Sequence, residues 1–133
     1  MWRNNYKLVV TEDKSQYFLK VFSNGNFLYF LLDSGADKSL VRECLLEGCS
    51  FISSEDRFKL TGIGGEREVP SLYLSFDLSE KRSAREEHRF KFCFGSIPEG
   101  FHPLLSGSIA GLLGTDFLSS CIVDFKNGLI KFF

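Results

Sequence analysis

Asp33-Ser34-Gly35 is the tripeptide of this chain whose residue types could do chemistry. The aspartate can take or give a proton, the serine hydroxyl can hold it in place by a structural hydrogen bond, and the glycine permits close backbone approach. Asp-Ser-Gly is common by chance, so its weight comes from its surroundings. Six apolar residues, Phe27 to Leu32, precede it and Ala36 follows. The carboxylate therefore falls where a strand buried on both faces stops in a tight turn. The bland alternative is an ordinary surface turn.

The elements that must position this turn are extended ones. Tyr6 to Val10 and Gln16 to Phe22 read as strands separated by the polar turn Thr11 to Ser15, and Asn24-Gly25 supplies a hairpin turn. Ser39 to Leu46 reads equally as a short strand or a helical turn. Phe58-Lys59-Leu60 leads into Thr61-Gly62-Ile63-Gly64-Gly65, and Glu66 to Val69 resumes an extended segment, which makes a hairpin with a glycine-rich, mobile tip. Leu72 to Leu78 and Arg89 to Phe94 alternate as paired strands, with Phe90, Phe92 and Phe94 on one face. The mixed-charge run from Ser79 to His88 reads as a solvated hairpin loop. After Ile109 to Gly114, Thr115 to Ser120 reads as one short helix with Thr115 or Asp116 near its N-cap. Cys121 to Phe125 and Leu129 to Phe133 are extended, joined by a turn at Asn127-Gly128.

Composition narrows the classes. With 133 residues the expectation is a single domain over 1–133, without linker, repeat or low-complexity tract. Fifteen Phe, four Tyr and one Met, among few alanines, favour an all-β or β-rich domain. A formal net charge of -1 gives no field for nucleic acid, and no basic groove accompanies the aromatic residues. Cys44, Cys49, Cys93 and Cys121 lack metal-ligand spacing and read as buried free thiols, while His88 and His102 read as neither ligands nor bases; no metal and no cofactor is expected. The first residues lack the apolar core of a signal peptide, and no apolar run approaches the roughly 18 residues of a membrane span, which implies a cytoplasmic location and no membrane partner.

Three segments together resemble the retropepsin-like aspartic peptidases of retroviruses, retrotransposons and their cellular relatives. Leu31-Leu32-Asp33-Ser34-Gly35-Ala36-Asp37 is similar to the family's catalytic turn. Gly62-Ile63-Gly64-Gly65 resembles its glycine-rich flap tip, and Leu112-Leu113-Gly114, followed by Thr115-Asp116-Phe117-Leu118, resembles the apolar-apolar-glycine element and short helix beneath that turn. Order and separations also fit, over roughly residues 16 to 133.

The resemblance implies a closed β-barrel-like domain with one short C-terminal helix and a flap hairpin. It implies catalysis by Asp33 with Ser34 and Gly35, substrate contacts from Ala36, Asp37, Gly62, Ile63, Gly64 and Gly65, and support of the site by Leu112, Leu113 and Gly114. Asp37 is assigned either to substrate backbone or to stabilising the turn. Such a peptidase needs two carboxylates a few ångströms apart that share one proton, because like charges so close cannot both ionise at low cost. The sequence holds one Asp-[Ser/Thr]-Gly. Asp116 opens the helix and Asp124 lies in a terminal strand, so both read as structural. The missing carboxylate is then Asp33 of a second identical chain, with Tyr6 to Val10 and Leu129 to Phe133 as interface strands by resemblance. The expected activity is cleavage of extended polypeptide between apolar residues. Thr115 stands where retroviral members carry an arginine, and Glu66-Arg67-Glu68 makes the flap unusually charged. The alternatives are a non-hydrolysing domain that grasps extended peptide by strand addition, or a monomeric unit active only beside another chain.

Overall fold

The computed structural model describes residues 5–62, 65–78 and 89–132. Eleven strands run in chain order as β1 (Asn5–Lys7), β2 (Val9–Val10), β3 (Tyr17–Ser23), β4 (Asn26–Leu32), β5 (Leu40–Arg42), β6 (Ser50–Gly62), β7 (Gly65–Asp77), β8 (Arg89–Ile97), β9 (Ile109–Leu113), β10 (Cys121–Asp124) and β11 (Leu129–Phe132). A 3-10 turn covers Glu43–Leu45, and the one α-helix among the described residues, α1, covers Thr115–Leu118. Ser39 to Leu46 thus holds both a strand and a helical turn.

Six strands close into a barrel. Their order is β3-β4-β9-β5-β8-β7, with β7 returning to β3 at Phe22↔Asp77. The β3–β4 hairpin turns at Asn24 and Gly25, both at positive φ (48° and 84°), the combination that matches the twist of a tight hairpin. Leu72 pairs with Phe94 and Asp77 with Arg89, as the alternation of the two segments predicts.

Period-2 geometry divides consecutive residues between two apolar clusters. Leu19, Phe30, Val41, Phe94 and Leu113 belong to the larger one, which also takes Phe117 of α1 and Ile130 and Phe132 of β11. Their neighbours Phe18, Leu31, Leu40 and Leu112 belong to the second, with Val69, Ile97 and Leu105. The middle strands are therefore buried on both faces. One expectation fails at the start of β4, where Phe27 is 56% exposed. Burying each of Leu28, Phe30 and Leu31 is worth about 1.5–3 kcal/mol, enough to make the end of β4 a fixed point.

Elsewhere the fold departs from the sequence reading. The β6–β7 hairpin begins eight residues before Phe58, at Ser50. Its register shifts between Ser53 and Arg57, opposite Pro70, which has no N–H to offer; the Ser71 hydroxyl donates to the Asp56 carbonyl at 2.6 Å and bridges the irregularity. β1 and β10 flank β11 in a separate three-stranded sheet, in which β10 and β11 pair across the Asn127-Gly128 turn as expected. Val9–Val10 leaves that sheet for β3, so the Tyr6 to Val10 segment is divided at Leu8. The N-cap of α1 is Gly114, which puts Thr115 and Asp116 next to it as the first two helical residues. The four thiols are free, but Cys44 is exposed and the other three half-buried. Ser79 to His88, Ile63 and Gly64 lie outside the described residues. Among the described residues no helix is long and apolar enough to cross a membrane.

Candidate active site

Asp33 leaves the end of β4 where that strand runs parallel to β9, with Leu32 opposite Leu113. Its backbone N–H donates to the Leu113 carbonyl at 2.9 Å, extending the ladder one residue beyond the strand. The chain then turns. Gly35 N–H donates to Asp33 Oδ1 at 3.0 Å and Ala36 N–H to the Asp33 carbonyl at 3.1 Å, which fixes the carboxylate against its own turn. Asp33 is half-buried, and Oδ2 accepts no hydrogen bond among the described residues. Ser34 and Asp37 are exposed, and Ala36 packs against the second cluster.

From Ala36 to Ser39 the chain crosses over the end of β9 and enters β5 on its far side, antiparallel to β9. This crossing explains two glycines. A Cβ on Gly114 would stand 2.6 Å from the Ala36 carbonyl oxygen, and one on Gly111 only 1.9 Å from that of Leu40. Backbone passes over backbone here, so no side chain fits. Thr115 N–H donates to the Ala36 carbonyl at 2.8 Å, tying α1 to the crossing.

Ser39, wholly buried, is the fastener. Its hydroxyl donates to Asp116 Oδ1 at 2.7 Å and accepts Gly114 N–H at 3.0 Å, while its N–H donates to Asp116 Oδ2 at 3.1 Å. Asp116 Oδ1 also takes Phe117 N–H at 2.9 Å. Both Asp116 oxygens are thereby occupied, in keeping with a structural reading, although they bind the crossing as well as a helix amide. The Asp124 carboxylate accepts the Asn127 side-chain amide at 2.8 Å and its backbone N–H at 3.1 Å, and these bonds hold its pKa below the ordinary carboxylate range. Neither is directed at Asp33. His102 Nδ1 accepts Leu104 N–H at 3.2 Å, a local turn contact.

The long hairpin rises beside this turn. Phe58 and Leu60 of β6 and Val69 of β7 join Ala36 in the second cluster, and the Lys38 ammonium lies 5.2 Å from the Phe58 ring centroid. At the far end Gly62 pairs with Gly65. Leu112 and Leu113, each 1% exposed, sit on opposite faces of β9 directly under the turn. The structure thus gathers Asp33 to Asp37 with Leu112, Leu113 and Gly114 and roots the hairpin on the same cluster. Ser39, Arg42 and Gly111 escape a sequence reading, because nothing in their spacing marks them; only the crossing does. No family profile and no curated protein matches this sequence.

What the arrangement can do follows from its charge state. A half-buried carboxylate held on one oxygen and open on the other can orient water or accept its proton. Alone it cannot also supply the acid that an amide leaving group needs.

Proposed function

We propose that this chain is one protomer of a dimeric aspartic endopeptidase of the retropepsin kind. The observation that carries the reading is the turn at Asp33, set at the end of a buried strand, fastened through the crossing over Gly114, and leaving Oδ2 open, with the β6–β7 hairpin rooted on the same apolar cluster as Ala36 of the turn. Asp116 and Asp124 are both held by other donors, so the second carboxylate has to come from Asp33 of another copy across a twofold axis.

In this reading the two Asp33 carboxyls share one proton. The ionised one takes a proton from water as the water oxygen bonds to the scissile carbonyl carbon, and the protonated one donates its hydrogen bond to the carbonyl oxygen. When the C–N bond breaks, the leaving nitrogen picks up a proton from the pair. Ala36 and Asp37 hold substrate backbone, the β6–β7 hairpin closes over it, and apolar walls select apolar side chains. The test is Asp33→Asn in an otherwise identical preparation. Peptide hydrolysis should vanish while the sedimentation profile stays the same; persistent cleavage would end the proposal.

A further inference from the structure

Outside the turn, the densest set of charged contacts surrounds Arg42, the last residue of β5, which is 6% exposed. One Nη1 donates to the carbonyls of Gly107 at 3.0 Å and Ile109 at 2.9 Å, and Nη2 donates to Glu99 Oε1 at 2.6 Å. A single guanidinium therefore grips both ends of the 98–108 strap that joins β8 to β9. Its rigid fork suits three acceptors at once, which an ammonium on a flexible stem does not. Its Nε is buried without a partner. An orphaned buried donor is costly, so the group is placed by where the strap must be held rather than by its own satisfaction.

The strap ends up on the candidate site. Leu105, 3% exposed, lies in the same cluster as Leu31, Leu40 and Leu112, and Phe101 packs against it with Ala36 of the turn. The Arg67 guanidinium, on the descending strand of the hairpin, stands 4.9 Å from the Phe101 ring centroid. The strap thus packs on the apolar cluster that also carries Ala36 of the turn, and meets Arg67 of the hairpin. Glu99 has a second tether, the Cys44 thiol at 2.9 Å on Oε2. That contact and then Arg42 hold the Glu99 carboxyl pKa below its ordinary value, and the same Glu99 contact, with burial, pushes the Cys44 thiol pKa up.

We infer that Arg42 is a positioning residue: by clamping both ends of the 98–108 strap it fixes Phe101 and Leu105 against the apolar cluster that carries Ala36 of the Asp33 turn and so sets which substrate side chains the site accepts. The inference rests on the peptidase reading for its consequence in substrate choice, but the clamp itself is measurable without it. With Glu99→Gln the strap keeps a neutral acceptor but loses the charge; with Arg42→Lys it keeps the charge but loses the fork.

Both variants are to be compared with the parent by amide exchange over 99–108, by iodoacetamide labelling of Cys44, and by cleavage of a peptide library varied at the apolar positions. Exchange over the strap should accelerate roughly tenfold and Cys44 labelling should quicken. The library should show KM raised several-fold with kcat nearly constant, and bulkier side chains newly accepted. Arg42→Lys should stay nearer the parent than Arg42→Met in all three. Unchanged exchange and labelling in Glu99→Gln would overturn the clamp whether or not the parent cleaves anything. A loosened strap with the parent's own side-chain preference and KM would overturn the role in selection. A parent that cleaves nothing refutes the peptidase reading and with it the role in substrate choice, leaving exchange and labelling to decide the clamp.

Discussion

Ser39 and Asp116 stand 77 positions apart in sequence and are joined by two hydrogen bonds, one from the serine amide and one from its hydroxyl. Removing the hydroxyl with Ser39→Ala deprives Asp116 of a donor and leaves the buried Gly114 N–H without its acceptor. The expected loss is about 1–3 kcal/mol, read as a lower urea midpoint with an unchanged slope. Because the crossing carries the Asp33 turn, hydrolysis should fall further than stability alone explains at concentrations where the variant is folded.

Two glycine substitutions separate steric from conformational cost. Gly111→Ala places a methyl 1.9 Å from a backbone oxygen, which no side-chain rearrangement relieves, so its cost should exceed the roughly 1–3 kcal/mol of ordinary overpacking and prevent folding. Gly100→Ala meets nothing within 4 Å and is strained only by its φ of +78°, so it should fold with a loss of about 1–2 kcal/mol. Thermal melts of the two distinguish these outcomes, and a well-folded Gly111→Ala would contradict the close crossing.

The proposed assembly of the site from two copies gives a mixing test. Equal amounts of parent and Asp33→Asn, allowed to exchange, leave about a quarter of the dimers with two carboxylates by random pairing. Activity should fall to that fraction of an equal total of parent. Simple dilution to about a half would mean that each chain works alone.

In the proposed peptidase the shared proton sets the pH profile. Hydrolysis should be greatest on the acidic side of neutrality and decline as the pair loses its proton. A rate that climbs continuously to alkaline pH would be incompatible with a carboxyl acting as the acid.

A local acidity can be checked separately. Hydrogen bonds from Ser15 and then Thr11 lower Asp13 from 3.8 to about 2. Since the folded value is depressed, the stabilisation is complete above the ordinary value of 3.8 and lost as pH falls through about 2. Following the Asp13 carboxyl by NMR should give a midpoint near the lower figure, and Ser15→Ala should move it upward.

Much of this arrangement is legible from residue order. The run ending at Leu32 carries period-2 burial on both faces, Asn24-Gly25 carries its own turn chemistry, and the alternation in β7 and β8 fixes their pairing. The early part of β6 is not legible, because Phe51 and Ile52 are 42% and 57% exposed and the segment is held by its ladder with β7 rather than by an apolar face. Asp116 serves the helix start as its position suggests, accepting Phe117 N–H, but its second partner, Ser39, is set by tertiary structure and is not legible. Arg42 is hidden for the same reason: a charged residue at a strand end reads as solvent-facing until the strap closes over it.

The side-by-side run of β4 and β9 also orders events during synthesis. Asp33 hangs from Leu113, and Ala36 from Thr115, so neither anchor exists while only the first hundred residues have been made. Pairing across so long a separation comes late in folding. A nascent or truncated chain would carry Asp33 without the two long-range anchors of its turn, so the candidate site is not fully positioned until translation has passed α1.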